Sequence, residues 1–275
     1  MQTSPSILVI VEGKSYEKTI INNIRRNFFN SRFEKTDYKV ISLPASKNIY
    51  MLWKDINEDE YIDIVELLRE SSMQNKEILK EYNRKSFSEI YLFFDYDKHQ
   101  NNLPENVDAE YVLKEMLATF DNETEAGKLY LSYPMAESIR DFNENSCIPF
   151  SGNCFIGAHT EDYKNISGNG NPLVYVRSYT LKKWQIIINV FRHRLSCLSA
   201  SESPFSLRQC KQFSPFEIFN LQKESERIRG KSIVLSAFPE FLIDYFSLDF
   251  LYRVLEDVDN NIFAACDEKN DVLNS

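Results

Sequence analysis

Along the first half of the chain, short unbroken apolar runs alternate with segments whose apolar residues recur every three to four positions. Residues 7–11 (ILVIV) and 89–94 (EIYLFF) read as buried strands, and 38–43 (YKVISL) and 128–133 (KLYLSY) as further strands. Between them, Tyr16, Ile20, Ile24 and Phe28 mark one face of a helix that ends near Asn30, with Ser15 placed to cap it. A longer helix is predicted over 54–85, with Ile56, Tyr61, Ile64, Val65 and Leu68 on one side and charges on the other. A third carries Val107, Tyr111, Met116 and Phe120. Strand alternating with helix predicts an α/β fold over 1–145, a Rossmann-like, mainly parallel sheet flanked by helices.

The pattern then changes. SGNGNP (167–172) is a loop and a candidate boundary, and LVYVRSY (173–179) reads as one more strand. Leu181, Trp184, Ile188, Phe191 and Leu195 mark a strongly amphipathic helix. Another starts at Ser214-Pro215-Phe216-Glu217, with Ser as cap, Pro at the first helical position and Glu at the third. A mainly helical region is therefore expected over 146–275. Its aromatic residues, Phe238, Phe241, Tyr245, Phe246, Phe250 and Tyr252, suit either a core or an interface.

Composition narrows the class. A chain of 275 residues that is 43% hydrophobic can bury the core of one large domain or two modest ones. No apolar run approaches the roughly 20 residues that cross a bilayer, and MQTSPS lacks the basic start of a secretory signal. A soluble, cytoplasmic protein with no membrane partner is expected. The five cysteines are odd in number and form no CxxC pair, which argues against a disulfide framework or a zinc knuckle; small buried thiols are expected. The formal net charge of −9 is unevenly spread: residues 177–231 carry 11 Lys and Arg against 4 Asp and Glu. Attraction to phosphate is local, within a Debye length of about 10 Å, so this stretch suits either a nucleic-acid surface or an ordinary solvated helix face.

Acids close the predicted strands. Glu12 follows the first, Asp95 and Asp97 (FFDYD) end a central one, and Glu137 follows the last by a few residues. Parallel strands place all their C-termini along one edge, so these carboxylates converge there. Like charges held close repel unless a cation lies among them, and oxygen ligands without a His or Cys cluster suit Mg2+ or Mn2+. Residues i and i+2 of an extended chain point to the same side, which lets Asp95 and Asp97 face one centre. Glu137 is open to a second role, as an acid complementing a helix N-terminus. Lys14 suits either a phosphate or solvent, and His99 either a general acid or an ordinary surface position. Arg177, Lys182 and Lys183 are equal candidates to grip a substrate backbone.

VEGKSYEK (11–18) followed by FFDYD (93–97) resembles the Toprim domain, over roughly residues 5–145. The resemblance implies that Glu12, Asp95 and Asp97 bind divalent metal for phosphodiester chemistry. YPMAESIRDF (133–142) is similar to a stretch in defence-associated nucleases of this family, in which Glu137 joins the metal shell. The length leaves no room for the extra domains of topoisomerases, and G-x-x-x-x-G-K-[ST] is absent, unlike OLD nucleases, which carry their ATPase in the same chain. The chain thus looks most like a stand-alone Toprim effector of a PARIS-type anti-phage system. That likeness implies a nuclease acting on RNA, above all tRNA, or on DNA, held by a separate ATPase partner, with a homodimer among the expected assemblies. A non-catalytic docking subunit of an ATPase complex is the alternative. A phosphatase with an aspartyl nucleophile would want its DxD on the first strand, which here carries Glu12.

Overall fold

The strand that leads to Glu12, β1 (Ser6–Val11), is buried from Ile7 onward and lies inside the sheet. In the computed structural model the described residues are 6–13, 15–29, 37–43, 49–58, 63–96, 107–143, 155–157, 163–168 and 171–255. They divide into two compact units, one comprising Met1–Ala136 with Pro215–Glu217, the other Glu137–Ser214 with Ile218–Ser275.

In the first unit, β1 pairs in parallel with β2 (Asp37–Ser42) on one side and β3 (Phe87–Asp95) on the other. Beyond β3 come β5 (Gly127–Ser132), also parallel, and at the edge the two-residue antiparallel β4 (Asp121–Asn122). The α/β architecture with a mainly parallel sheet is as expected, and each of the four long strands lies within two residues of its predicted bounds. After β1 the chain moves outward to β2, then returns past β1 to β3, so the order of strands reverses between β1 and β3. Such a reversal opens a crevice at the C-terminal ends of the two strands.

The helices of this unit are α1 (Tyr16–Ile24), continued by a wider π turn Arg25–Phe29, then α2 (Ile49–Glu58), α3 (Ile64–Glu70), α4 (Met73–Ile78) and α5 (Ala109–Thr119). The single helix expected over 54–85 is thus replaced by shorter ones. Asp63 accepts the Val65 N–H (2.8 Å) and Ser72 the Asn75 N–H (3.1 Å), so each starts a new helix where the apolar period alone runs on. Asn75, buried, donates to the Ser42 carbonyl at 3.0 Å and ties α4 to the end of β2. α5 buries Val112, Leu113, Met116 and Leu117, which leaves Tyr111 61% exposed, off the expected face. At the other end of the sheet the Arg84 guanidinium donates to the carbonyls of Phe87, Thr124 and Glu125, bracing the turn before β5. Gly127, at φ +124°, lets that turn enter the strand directly beneath Leu92.

The second unit holds a small antiparallel pair, β6 (Phe155–Gly157) with β7 (Lys231–Ile233). Its helices are α6 (Tyr163–Gly168), α7 (Leu181–Leu198), α8 (Leu207–Cys210), α9 (Pro215–Arg229, from Ile218 onward), α10 (Ala237–Tyr245) and α11 (Leu248–Leu255). α7 is its axis: from Trp184 to Leu198 every residue but Arg192 is buried. The strand expected at 173–179 forms two single 3-10 turns instead, Pro172–Val174 and Val176–Ser178. Leu173, Val176 and Tyr179 are the buried residues, a spacing of three that matches the 3-10 period rather than the strand period of two. The Tyr179 hydroxyl closes the segment by donating to the Leu173 carbonyl at 2.5 Å. Phe238, Phe241, Phe246 and Phe250 are core, while Tyr252 is exposed. Cys197 and Cys210 are buried free thiols, and burial pushes the Cys210 thiol up to about 12; Cys147, Cys154 and Cys266 lie outside the described residues. Among the described residues no helix is long and apolar enough to cross a membrane.

Candidate metal centre

Register fixes where the acids fall. Val11, the last residue of β1, stands opposite Phe93, so Glu12 leaves the strand as β3 runs on to Asp95. The Asp95 N–H donates to Glu12 Oε2 at 3.2 Å, which brings the two half-buried acids together across the crevice. On the far side of β3, Asp95 pairs with Ser132 of β5, and Asp95 Oδ1 accepts the Ala136 N–H at 2.8 Å. Both carboxylates are thus aimed by main-chain amides, which hold more rigidly than side chains.

The glycine after Glu12 has its own cause. Gly13 N–H donates to Glu17 Oε1 at 2.8 Å, and the buried Glu17 carboxylate lies so close over Gly13 that an added Cβ would collide with it. Ser15 occupies the N-cap position of α1 without a side-chain cap bond, contrary to expectation; its carbonyl instead accepts the Thr19 N–H (3.0 Å) and hydroxyl (2.7 Å). Glu17 was missed by the sequence pattern, in which it counts as one more polar helix position. An acid four residues after a loop glycine, in the first helical turn, is the signal that was there to use.

The remaining expected residues fall differently. Asp97, Lys14, His99 and His159 lie outside the described residues. Glu137 belongs to the second unit, is buried, and pairs through Oε1 with Lys164 Nζ at 3.0 Å and with the Arg140 guanidinium at 3.8 Å. Those cations account for a buried carboxylate without any metal. Beside it Tyr163 donates to the Asp141 carboxylate, and burial together with that neighbour pushes the tyrosine hydroxyl pKa upward.

The basic stretch 177–231 does not present all its charge. Arg194, 2% exposed, donates to the Val234 and Asp141 carbonyls, both at 2.7 Å, and lies over the Phe142 ring. Arg192 donates to the Phe205 carbonyl, and Lys211 to that of Asp244. Lys223 pairs with Glu226 and Arg227 with Glu224. Arg177 and Lys182 are exposed and Lys183 is half-buried.

In kind, two acidic residues brought side by side at the C-terminal ends of β1 and β3 suit a hard divalent cation such as Mg2+ or Mn2+. Among the described residues no cluster of three or more His, Cys, Asp and Glu side chains is formed, so a fuller shell would draw on Asp97. No family model matches the chain, and no curated protein or solved structure matches it.

Proposed function

We propose that this chain is a Mg2+-dependent nuclease of the Toprim kind, which holds the metal through Glu12, Asp95 and Asp97. The observation that carries the proposal is the placement of Glu12 and Asp95 at the one crevice where strand order reverses, joined by the Asp95 N–H. A divalent ion bound there supplies an activated water and charge neutralisation for phosphodiester cleavage. The chain's own residues do the positioning. The Asp95 amide fixes the Glu12 carboxylate and the Ala136 amide fixes that of Asp95, while exposed Arg177 and Lys182 and half-buried Lys183 supply cations that attract phosphate. Host tRNA as the target, and a separate ATPase that restrains the enzyme, complete the proposal on motif resemblance.

The test is cleavage by purified full-length protein of total tRNA, single-stranded DNA and duplex DNA, in Mg2+ and in EDTA. Mg2+-dependent cleavage by the wild type, lost in Glu12→Ala and Asp95→Ala, is expected. Binding without cleavage of any of these, with Glu12→Ala indistinguishable from wild type in cells, would instead favour a docking subunit.

A further inference from the structure

The second unit carries a surface that neither its folding nor the metal centre explains. Tyr175 sits between the 3-10 turns 172–174 and 176–178 with 72% of its surface exposed, and among the described residues its ring and hydroxyl have no partner. Its backbone is held firmly all the same. The Tyr175 carbonyl accepts both the N–H (2.9 Å) and the hydroxyl (2.7 Å) of Ser178. Val176 and Tyr179 are buried on either side, and Tyr179 packs edge-on against Trp184 at 5.8 Å. An aromatic ring on a fixed backbone, left in solvent, costs apolar exposure and contributes nothing to the core.

Its neighbours are cationic. Arg177 and Lys182 are exposed, Lys183 is half-buried, and neither lysine has a described side-chain partner. Both lysines stand in the first turn of α7, where the helix dipole disfavours positive charge, so helix stability does not account for them. From residue 163 to residue 201 there is no Asp or Glu, in a chain where 41 of 275 residues are acidic. Cations without intervening acids attract a polyanion, and an open ring in the same short stretch adds a face on which a base can stack. A duplex keeps its base faces stacked inside and offers phosphates and groove edges; an unpaired strand offers phosphates and an open base face. An acidic polypeptide would match the lysines and leave the ring without a flat counterpart.

We propose that the 175–183 surface binds single-stranded nucleic acid, with Tyr175 stacked on an unpaired base and Arg177, Lys182 and Lys183 on flanking phosphates. This deepens the nuclease proposal, which it takes as its context, by naming unpaired rather than duplex substrate; binding itself needs no metal. The test is fluorescence anisotropy of the full chain in EDTA with a labelled 12-nucleotide RNA, the DNA of the same sequence, and the duplex of each. Single strands should bind more tightly than their duplexes at equal salt, and the two single-strand arms report whether ribose or deoxyribose is preferred. Tyr175→Ala should weaken single-strand binding by about tenfold, within the range found for removal of one base-stacking ring, while Tyr175→Phe retains it. Lys182→Ala should flatten the dependence of log affinity on log salt by about 0.7 if one phosphate contact is lost. The proposal is overturned if Tyr175→Ala binds as wild type, if duplex binds more tightly, or if labelled polyglutamate binds and loses the same affinity in Tyr175→Ala. Cleavage in Mg2+ separates the two proposals. Tyr175-dependent binding without any cleavage removes the nuclease and leaves the surface, whereas cleavage with Tyr175→Ala unaffected in binding removes the surface alone.

Discussion

Replacing Asp95 separates what the fold needs from this side chain and what a metal needs. In the fold, Asp95 Oδ1 accepts the N–H of Ala136, a residue 2% exposed, at 2.8 Å. Without an acceptor that amide is left unsatisfied, so Asp95→Ala should cost about 1–3 kcal/mol. Asparagine keeps the acceptor and loses only the charge assistance, about 1 kcal/mol, while it removes a negative charge from beside Glu12. In EDTA, Asp95→Asn should therefore melt close to wild type and Asp95→Ala well below it. Mg2+ adds the second arm. At ten times its dissociation constant, a ligand that binds only the native state contributes about 1.4 kcal/mol, or roughly 3–5 °C for a unit of this size. That rise should appear in wild type and vanish in both variants. The assay is thermal unfolding followed by circular dichroism, in EDTA and through a Mg2+ titration, read on the transition that Asp95→Ala moves, because two units need not melt together. A full Mg2+ rise in Asp95→Asn would refute metal binding through this carboxylate, and equal stability of the Asn and Ala variants in EDTA would refute the role of the Ala136 amide.

Three further outcomes follow from single contacts. Gly13→Ala should cost about 1–3 kcal/mol by displacing the buried Glu17 carboxylate from the Gly13 amide, and much less in a Glu17→Ala background; additive costs in urea unfolding would rule the contact out. Arg194→Met should cost about 3 kcal/mol or more by orphaning the Val234 and Asp141 carbonyls, and Arg194→Lys should recover little because a single ammonium does not reproduce the guanidinium fork; near-wild-type urea stability of the lysine variant would contradict this. Burial, and then the neighbouring Arg192, hold the His193 pKa below its usual 6.5, so the unfolded chain takes up its proton first as pH falls. Stability should decline below pH 6.5 by up to about 1.4 kcal/mol per pH unit from this group, and His193→Gln should flatten urea midpoints measured from pH 8 to pH 5.

The parallel sheet was legible chiefly through β1, β3 and β5, which are buried over most of their length and so read as nearly continuous apolar runs. The edge strand β4 and the pair β6 and β7 were not, since two or three residues carry no period and residue 155 finds its partner at 233. The misread helix over 54–85 shows the converse: an apolar period persists across Asp63 and Ser72 although each caps a new helix. At 173–179 the alternation of LVYVRSY imitates a strand, whereas the backbone bonds from Ser178 N–H to the Tyr175 carbonyl and from Tyr179 N–H to the Val176 carbonyl wind it more tightly.

The site divides along the same line. Glu12 and Asp95 were legible because topology alone delivers them: once the strands are parallel, whatever follows each strand arrives at one edge. Glu17 is placed by a side chain that reaches back to Gly13, and composition does not reveal reach. Charge counting over 177–231 likewise does not reveal where each cation points: Arg192, Arg194 and Lys211 turn to carbonyls, and Lys223 and Arg227 meet glutamates. Exposed Arg177 and Lys182 and half-buried Lys183 share the stretch 175–183 with Tyr175, which is 72% exposed. A residue's type fixes the chemistry it can do, but whether that chemistry faces solvent depends on the local winding, and around Tyr175 that winding has a period of three.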